Sequence, residues 1–248
     1  MATITILNDE EAQAATAAER LTSLVQQSLA MRGRALVCFA GGRTPRRLYE
    51  RLADARLPWR ARIEWTDVHA FWGDERHVPR DHSESNFGMA HRSLLAHVPI
   101  PANQVHPMRG ELPDAAVAAR EYEHVLPVTF DIMLLGLGVD AHTASVFPGS
   151  PLLETAGRHG VPVCNRVAAV WVTHLNAWRI TLTPPTLLDA RAILMLASGD
   201  EKAKAVHAAL DAQMDVVRWP AQFLRAAGDR VEWIIDAAAA RWLGATPA

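Results

Sequence analysis

The chain has 248 residues, 50% of them hydrophobic and 21% charged, with a formal net charge of -2. This is ordinary globular composition and enough length to bury a full core. The near-neutral charge gives no attraction to nucleic acid or to an anionic membrane surface. Its two cysteines, Cys38 and Cys164, cannot build a disulfide framework, and Cys38 sits in an apolar run where a reduced, buried thiol is the default. The first residues carry no basic, then apolar, leader pattern, and no later run reaches the length of a membrane span. The expectation is a cytoplasmic protein folded as one α/β domain over residues 1–248.

Residues 3–7 alternate like a short strand, and Asn8-Asp9-Glu10-Glu11 reads as a helix start with acids in its first turn. Ala14, Ala18, Leu21, Leu24, Val25 and Leu29 then recur at helical spacing as far as about residue 31, and Gly33 ends the helix. Residues 35–40 form an apolar strand that runs into Gly41-Gly42-Arg43-Thr44-Pro45 and a helix over 45–52. A third strand, 68–72, leads into the polar loop Gly73-Asp74-Glu75-Arg76-His77-Val78-Pro79, and Ser85-Asn86 opens a helix to about residue 97. The proline-rich loop 99–113 precedes an alanine-rich helix over 114–126.

Ile132 to Leu135 is a continuous apolar run, the pattern of a parallel strand covered on both faces. A less regular segment follows to about residue 166, with room for a lid over 150–166. Strands are expected over 168–172 and 179–183, a short helix over 186–190 after Pro184-Pro185, and a strand over 192–197. Ser198-Gly199-Asp200-Glu201-Lys202-Ala203 opens a helix to about residue 210, 219–224 is a turn-flanked segment, and a last strand over 231–235 ends at Asp236, which caps an alanine-rich terminal helix. Apolar strands alternating with amphipathic helices give an α/β fold, and a doubly wound sheet would bring the polar ends of its strands to one edge.

The central strand runs into Gly136-Leu137-Gly138-Val139-Asp140-Ala141-His142-Thr143-Ala144-Ser145. Ligands in open α/β sheets bind outside the carboxyl ends of the strands, where this stretch would lie. Imidazole titrates near about pH 6.5, so His142 beside Asp140 is a candidate general base. The blander alternative is a strand end whose histidine caps neighbouring backbone. Gly136 to Ala141 also fits the dinucleotide fingerprint G-x-G-x-x-[GA], but Pro148-Gly149-Ser150-Pro151 breaks the helix that fingerprint needs.

Strand, glycine pair and helix at Gly41-Gly42-Arg43-Thr44-Pro45 would suit a phosphate group, with backbone N–H groups and the helix's positive end facing it. A tight turn without a ligand is the other reading, and Walker A spacing is absent. Lys202 in the first turn of its helix opposes the macrodipole. A bound anion would remove the conflict, as would pairing with Asp200 or solvent.

No G-x-S-x-G elbow occurs, which argues against an α/β-hydrolase serine enzyme. The 11 histidines include no H-E-x-x-H, and no paired C-x-x-C accompanies them, so they read as a surface scatter and no metal or cofactor is expected. The tryptophans, among them Trp65, Trp72, Trp171 and Trp178, read as core or subunit contacts, since no basic stripe accompanies them.

Five motifs in order, Ala40-Gly41-Gly42-Arg43-Thr44-Pro45, Trp72-Gly73-Asp74-Glu75-Arg76-His77-Val78-Pro79 with Ser85-Asn86, Gly136 through Pro148, Arg179-Ile180-Thr181-Leu182-Thr183 and Gly199-Asp200-Glu201-Lys202-Ala203, closely resemble the 6-phosphogluconolactonase family. The resemblance runs from about residue 35 to 240. It implies the sugar-phosphate superfamily that also holds glucosamine-6-phosphate deaminase, with a Rossmann-like, mostly parallel sheet, helices on both faces in three layers α/β/α, and a small additional segment. It also implies hydrolysis of 6-phosphoglucono-1,5-lactone to 6-phosphogluconate in the oxidative pentose phosphate pathway, without a metal. His142, Asp140 and Arg76 would be catalytic, and Gly41, Gly42, Arg43, Thr44, Asp74, Arg179 and Lys202 would bind the phosphorylated sugar lactone. Monomer and homodimer both stay open.

Two positions depart from the family pattern: Ala40 stands where serine is usual, and Ala141 where glycine is usual. If the latter needs positive φ, alanine carries strain of order 1 kcal/mol. The deaminase resembles this chain through the Asp-x-His step but carries a glutamate before the proline, where this chain has Phe147, and a tyrosine at the position of Arg76. A sugar-phosphate sensor without turnover is the non-catalytic alternative, and only Ala141 favours it.

Overall fold

The computed structural model describes residues 2–154 and 165–244. Its strands are β1 Thr3–Leu7, β2 Ala35–Phe39, β3 Val68–Trp72, β4 Asp74–Arg76, β5 Phe130–Gly136, β6 Val167–Val172, β7 Ala177–Leu182, β8 Ala190–Ala197 and β9 Val231–Asp236. The α-helices are α1 Glu10–Arg32, α2 Arg43–Ala53, α3 Asn86–Ser93, α4 Ala115–Val125, α5 Pro151–Glu154, α6 Pro184–Leu188, α7 Ala203–Leu210 and α8 Ala237–Ala240.

Local signals set several boundaries. The Asp9 carboxylate accepts the Ala12 N–H at the start of α1, and Gly33, at φ 67°, ends it in the left-handed region. Ser85, Asp114 and Asp236 cap α3, α4 and α8 in the same way.

Six strands form one sheet in the order β1-β9-β8-β5-β2-β3, every neighbouring pair parallel. Alternation along β5 divides the core. Ile132 and Leu134 pack with Leu21 of α1 and with Leu48 and Leu52 of α2. Met133 and Leu135 pack with Ala118 and Ala119 of α4 and Val206 of α7. The continuous apolar run is therefore explained by burial on both faces, each large aliphatic side chain contributing about 1.5–3 kcal/mol. The additional segment is a three-stranded antiparallel sheet, β4-β7-β6.

Several expectations are corrected. Asp74-Glu75-Arg76 is not loop but strand β4, recruited by pairing with β7, where Arg76 lies opposite Arg179. Helix α3 stops at Ser93 because Leu94, fully buried, takes φ -140° and ψ -60°, and a separate 3-10 turn covers Leu95–His97. Pro184 and Pro185 open α6 rather than precede it, since a first helical turn does not use the N–H that proline lacks. Lys202 sits in a 3-10 turn, Asp200–Lys202, ahead of α7.

Trp65 and Trp72 are core residues, whereas Trp171 and Trp178 form an exposed edge-to-face pair on the antiparallel sheet. His69 and His106 depart from the surface scatter, being half-buried and 3.3 Å apart between ring nitrogens. Cys38 is buried as expected, which pushes its thiol pKa up. Cys164 and residues 155–164 of the anticipated lid lie outside the described residues. Among the described residues, no helix is long and apolar enough to cross a membrane.

Candidate active site

From β2 the chain steps outward to β3, whereas from β5 it steps the other way to β8 and β9. The strand order reverses between β2 and β5, and a crevice at their carboxyl ends is the consequence. A cavity of about 430 Å³ occupies it, walled by the loops that follow β2, β3, β5 and β8. Of the residues singled out from the sequence, Gly41, Gly42, Arg43, Thr44, Asp74, Arg76, His142 and Lys202 line the cavity. Asp140 and Arg179 stand behind that lining.

One end of the cavity is built for an anion. Gly42, at φ 100°, turns the chain into α2, and no side chain caps that helix. Helix α7 continues the 3-10 turn Asp200–Lys202, and its first N–H, from Ala203, is taken by the Asp200 carbonyl. The uncapped first-turn N–H groups of α2 and its positive end are available to a ligand. Gly41 is held close to α3: a β-carbon there would meet Asn86 Oδ1 at 1.9 Å. Thr44 is buried, and Ala40 brings no hydroxyl to this wall. The Lys202 ammonium makes no ion pair among the described residues. Asp200, its candidate partner, instead pairs with Arg241 at 2.8 Å. Burial pushes Lys202 below the ordinary lysine pKa, with Arg43 adding to the shift and Glu201 and Asp140 opposing it. Arg43 reaches Glu201 at 2.7 Å.

The His142 Nδ1 lies 2.5 Å from Asp140 Oδ1, which also accepts the His142 backbone N–H at 3.1 Å. Burial pushes the Asp140 pKa up, but the hydrogen bonds and charge of His142 outweigh it and hold the carboxyl below its usual range. An ionised Asp140 keeps the proton on Nδ1, so Nε2 presents its lone pair. The tight turn is closed by Gly138 N–H to His142 O at 2.8 Å and Ala141 N–H to Gly138 O at 3.1 Å. Ala141 does adopt positive φ, 62°, so the anticipated strain is present. The Phe147 ring lies against the imidazole, centroids 4.2 Å apart.

Asp74 is committed to structure. Its carboxylate accepts from Asn86 Nδ2 at 3.1 Å and from Ser145 Oγ at 2.7 Å, tying β4 to α3 and to the histidine loop. Glu75, buried, takes backbone N–H groups of Arg76, Asn86 and Phe87 and the Ser85 hydroxyl. Burial raises its pKa despite these donors. Arg76 donates to Glu84 O at 2.5 Å and faces the cavity. Arg179 is buried behind it, its proton affinity lowered by burial and by the Arg76 charge. The sequence motifs contain Asn86, Ser145 and Glu201 but assign no binding or catalytic role to any of them; the β4–β7 pairing and the turns bring Asn86 and Glu201 into the cavity lining and Ser145 against Asp74.

Among the described residues no group of three or more His, Cys, Asp or Glu side chains is placed to hold a metal ion.

Comparison with known proteins agrees with this geometry. The chain is 35% identical over 226 residues to the 6-phosphogluconolactonase of Synechocystis sp., covering 87% of this chain and 88% of that one. The solved structure of 6-phosphogluconolactonase from Trypanosoma brucei superposes with a TM-score of 0.82 at 30% identity, over 98% of this chain and 99% of that one. A monomeric glucosamine-6-phosphate deaminase gives a TM-score of 0.82 over 96% of this chain and 99% of that one, but at 21% identity it shares the fold alone. The profile described as glucosamine-6-phosphate isomerases/6-phosphogluconolactonase matches residues 8–233. With its parallel sheet, the uncapped start of α2 and its acid–imidazole turn around one crevice, the chain belongs to the glucosamine-6-phosphate isomerase/6-phosphogluconolactonase family.

Proposed function

We propose that the chain, acting as one catalytic unit, is a hydrolase that opens 6-phospho-D-glucono-1,5-lactone to 6-phospho-D-gluconate, a step of the oxidative pentose phosphate pathway, in the cytoplasm. The observation that carries this reading is the pairing of His142 with Asp140 in a cavity whose other wall offers Lys202, Arg43 and the uncapped start of α2.

The phosphate docks on the backbone N–H groups of Gly41, Gly42 and Arg43 and on the Thr44 hydroxyl, with Lys202 supplying charge and Arg179 adding to the field through Arg76. Anchoring C6 presents the lactone carbonyl to His142 and turns a bimolecular attack into an oriented one. His142 Nε2 takes a proton from water as the water oxygen bonds to C1. Asp140 holds the imidazole and balances the imidazolium. The tetrahedral oxyanion is met by Arg76. Collapse breaks the bond from C1 to the ring oxygen, which receives the proton from His142, and the new acid ionises in water. An activated ester needs no cofactor for these steps.

The isomerase chemistry of the wider family has less support. Phe147 lays an apolar ring on His142 where the deaminases carry a glutamate, so a proton shuttle there lacks its carboxylate.

The test is decay of the lactone, generated in place, with wild-type protein, with His142→Ala and without protein. Wild type should accelerate decay, and the variant should lose about 10²- to 10⁴-fold in kcat. Acceleration retained in the variant would remove His142 as the base. No acceleration by wild type would sink the lactonase reading, and ammonia release from glucosamine-6-phosphate would then favour the deaminase.

A further inference from the structure

Among the described residues, Asp74 and Glu201 are the acids that line the cavity, and Glu201 lies on the wall proposed for the phosphate. It stands between two cations of that wall: its Oε1 is 2.7 Å from Arg43 Nη2, and it neighbours Lys202 in sequence. Arg43, Glu201 and Lys202 all line the cavity. Arg43 and Glu201 come from opposite sides of the crevice, the first from the loop after β2 and the second from the loop after β8. Their ion pair therefore bridges the two loops between which a phosphate would dock. Glu10 adds a weaker hold on Arg43 from outside, at 3.9 Å.

A carboxylate and a phosphate ester are both anions that a guanidinium can grip through paired N–H groups, so they compete for the same donors. We propose that Glu201 sets the affinity threshold of the phosphate site: it pairs with Arg43 and must be displaced by the phosphate group of the ligand. This rests on the phosphate assignment made above. An incoming ligand repays the lost ion pair only if it brings further contacts, which a phosphorylated sugar lactone does through its ring and free inorganic phosphate does not. The carboxylate thus raises the threshold for small anions while leaving the sugar phosphate able to bind.

The electrostatics support a modest effect. The side chains of Arg43 and Glu201 are 61% and 48% exposed, so their attraction is screened by water and salt. The Glu201 charge also favours the ammonium form of Lys202, whose burial works against it. Glu201 consequently helps keep Lys202 charged as it competes with the ligand for Arg43.

The experiment compares wild type, Glu201→Gln and Lys202→Ala. For each, KM and kcat are measured with the phosphorylated lactone, inhibition constants with 6-phosphogluconate and inorganic phosphate, and turnover with unphosphorylated glucono-1,5-lactone. Glu201→Gln should lower KM and both inhibition constants about twofold to fivefold, by a similar factor for each phosphorylated ligand and for inorganic phosphate, with the gain shrinking at high salt. Turnover of the unphosphorylated lactone should stay level, which a general disturbance of the loop would not allow. Unchanged or raised KM and inhibition constants in Glu201→Gln, while Lys202→Ala weakens every phosphorylated ligand, would overturn the role of Glu201 and leave the phosphate site standing. No effect of Lys202→Ala on phosphorylated ligands would remove the phosphate site itself, and the role of Glu201 with it.

Discussion

Gly138 and His142 are packed so closely that a β-carbon on Gly138 would lie 2.1 Å from the His142 Nδ1 and 2.7 Å from Asp140 Oδ1. The imidazole, held by Asp140 on one side and by the Phe147 ring on another, can make room only by breaking those contacts. Gly138→Ala should therefore swing His142 off its working position without touching the phosphate wall. A displacement of about 1 Å in a reacting group can cost about 10²-fold in rate. The expected result is a fall of that order in kcat with KM nearly unchanged, read by steady-state kinetics after subtracting spontaneous lactone decay.

Lys202 carries a pH signature. Its pKa is lowered, first by burial, so its ammonium is lost at a lower pH than that of an exposed lysine. Phosphate affinity should be level while the ammonium persists and weaken as pH rises through the lowered value. Losing a charge-assisted hydrogen bond costs about 1.5–3 kcal/mol, or roughly tenfold to a hundredfold in affinity. Lys202→Arg should flatten this alkaline limb, since guanidinium does not titrate there. Binding of 6-phosphogluconate by calorimetry is the cleaner measurement, because the lactone itself decays. Identical alkaline limbs in both proteins would show that another group governs binding.

Much of the fold was legible because the parallel sheet writes itself as uniformly apolar runs. Ile132 to Leu135 and the strand from Ala35 announce burial on both faces, and Gly33 and Asp236 mark ends with unambiguous chemistry. The antiparallel sheet was legible only in part. Strands β6 and β7 show as apolar alternation, but Asp74-Glu75-Arg76 is uniformly charged, and only pairing with β7 makes it a strand. The site divides in the same way. Gly41, Gly42, His142 and Lys202 follow apolar strands directly, so topology delivers them to one crevice. Arg179 lies inside a strand, and its burial behind Arg76 depends on the register of a long-range pairing. The commitment of Asp74 to Asn86 and Ser145 is likewise a tertiary fact with no local signature.

Glu75 illustrates how much the site leans on a residue outside it. Its two carboxylate oxygens receive three backbone N–H groups and one hydroxyl, from Arg76, Asn86, Phe87 and Ser85. Glu75→Gln keeps the shape but turns an amide NH₂ toward donors that need an acceptor. A buried mismatch of this kind costs about 1–3 kcal/mol, and each kcal/mol lowers Tm by about 2–4 °C in a chain of this size. Thermal unfolding should show that drop, and activity should fall with it, because the start of α3 and the Arg76 strand both lose their anchor. An unchanged Tm would mean that the carboxylate is already protonated and acting as a donor.

Ala141 sets two opposing terms against each other. At φ 62° it pays about 1 kcal/mol that glycine would not. Its methyl group is fully buried among the core residues; removing it forfeits about 0.8 kcal/mol of burial, and the greater freedom of glycine in the unfolded chain adds to that loss. Ala141→Gly should consequently change stability by less than about 1 kcal/mol in either direction, measured by chemical denaturation. The loop hydrogen bonds that place His142 come from backbone atoms, including Ala221 N–H to Ala141 O at 2.9 Å, and the substitution leaves them in place. Activity should stay within about threefold of wild type, since kcat depends on imidazole placement and not on the methyl group. A large gain in kcat in the glycine variant would instead mean that the alanine holds the histidine turn in a less productive geometry, and that the strain at this position is spent against catalysis.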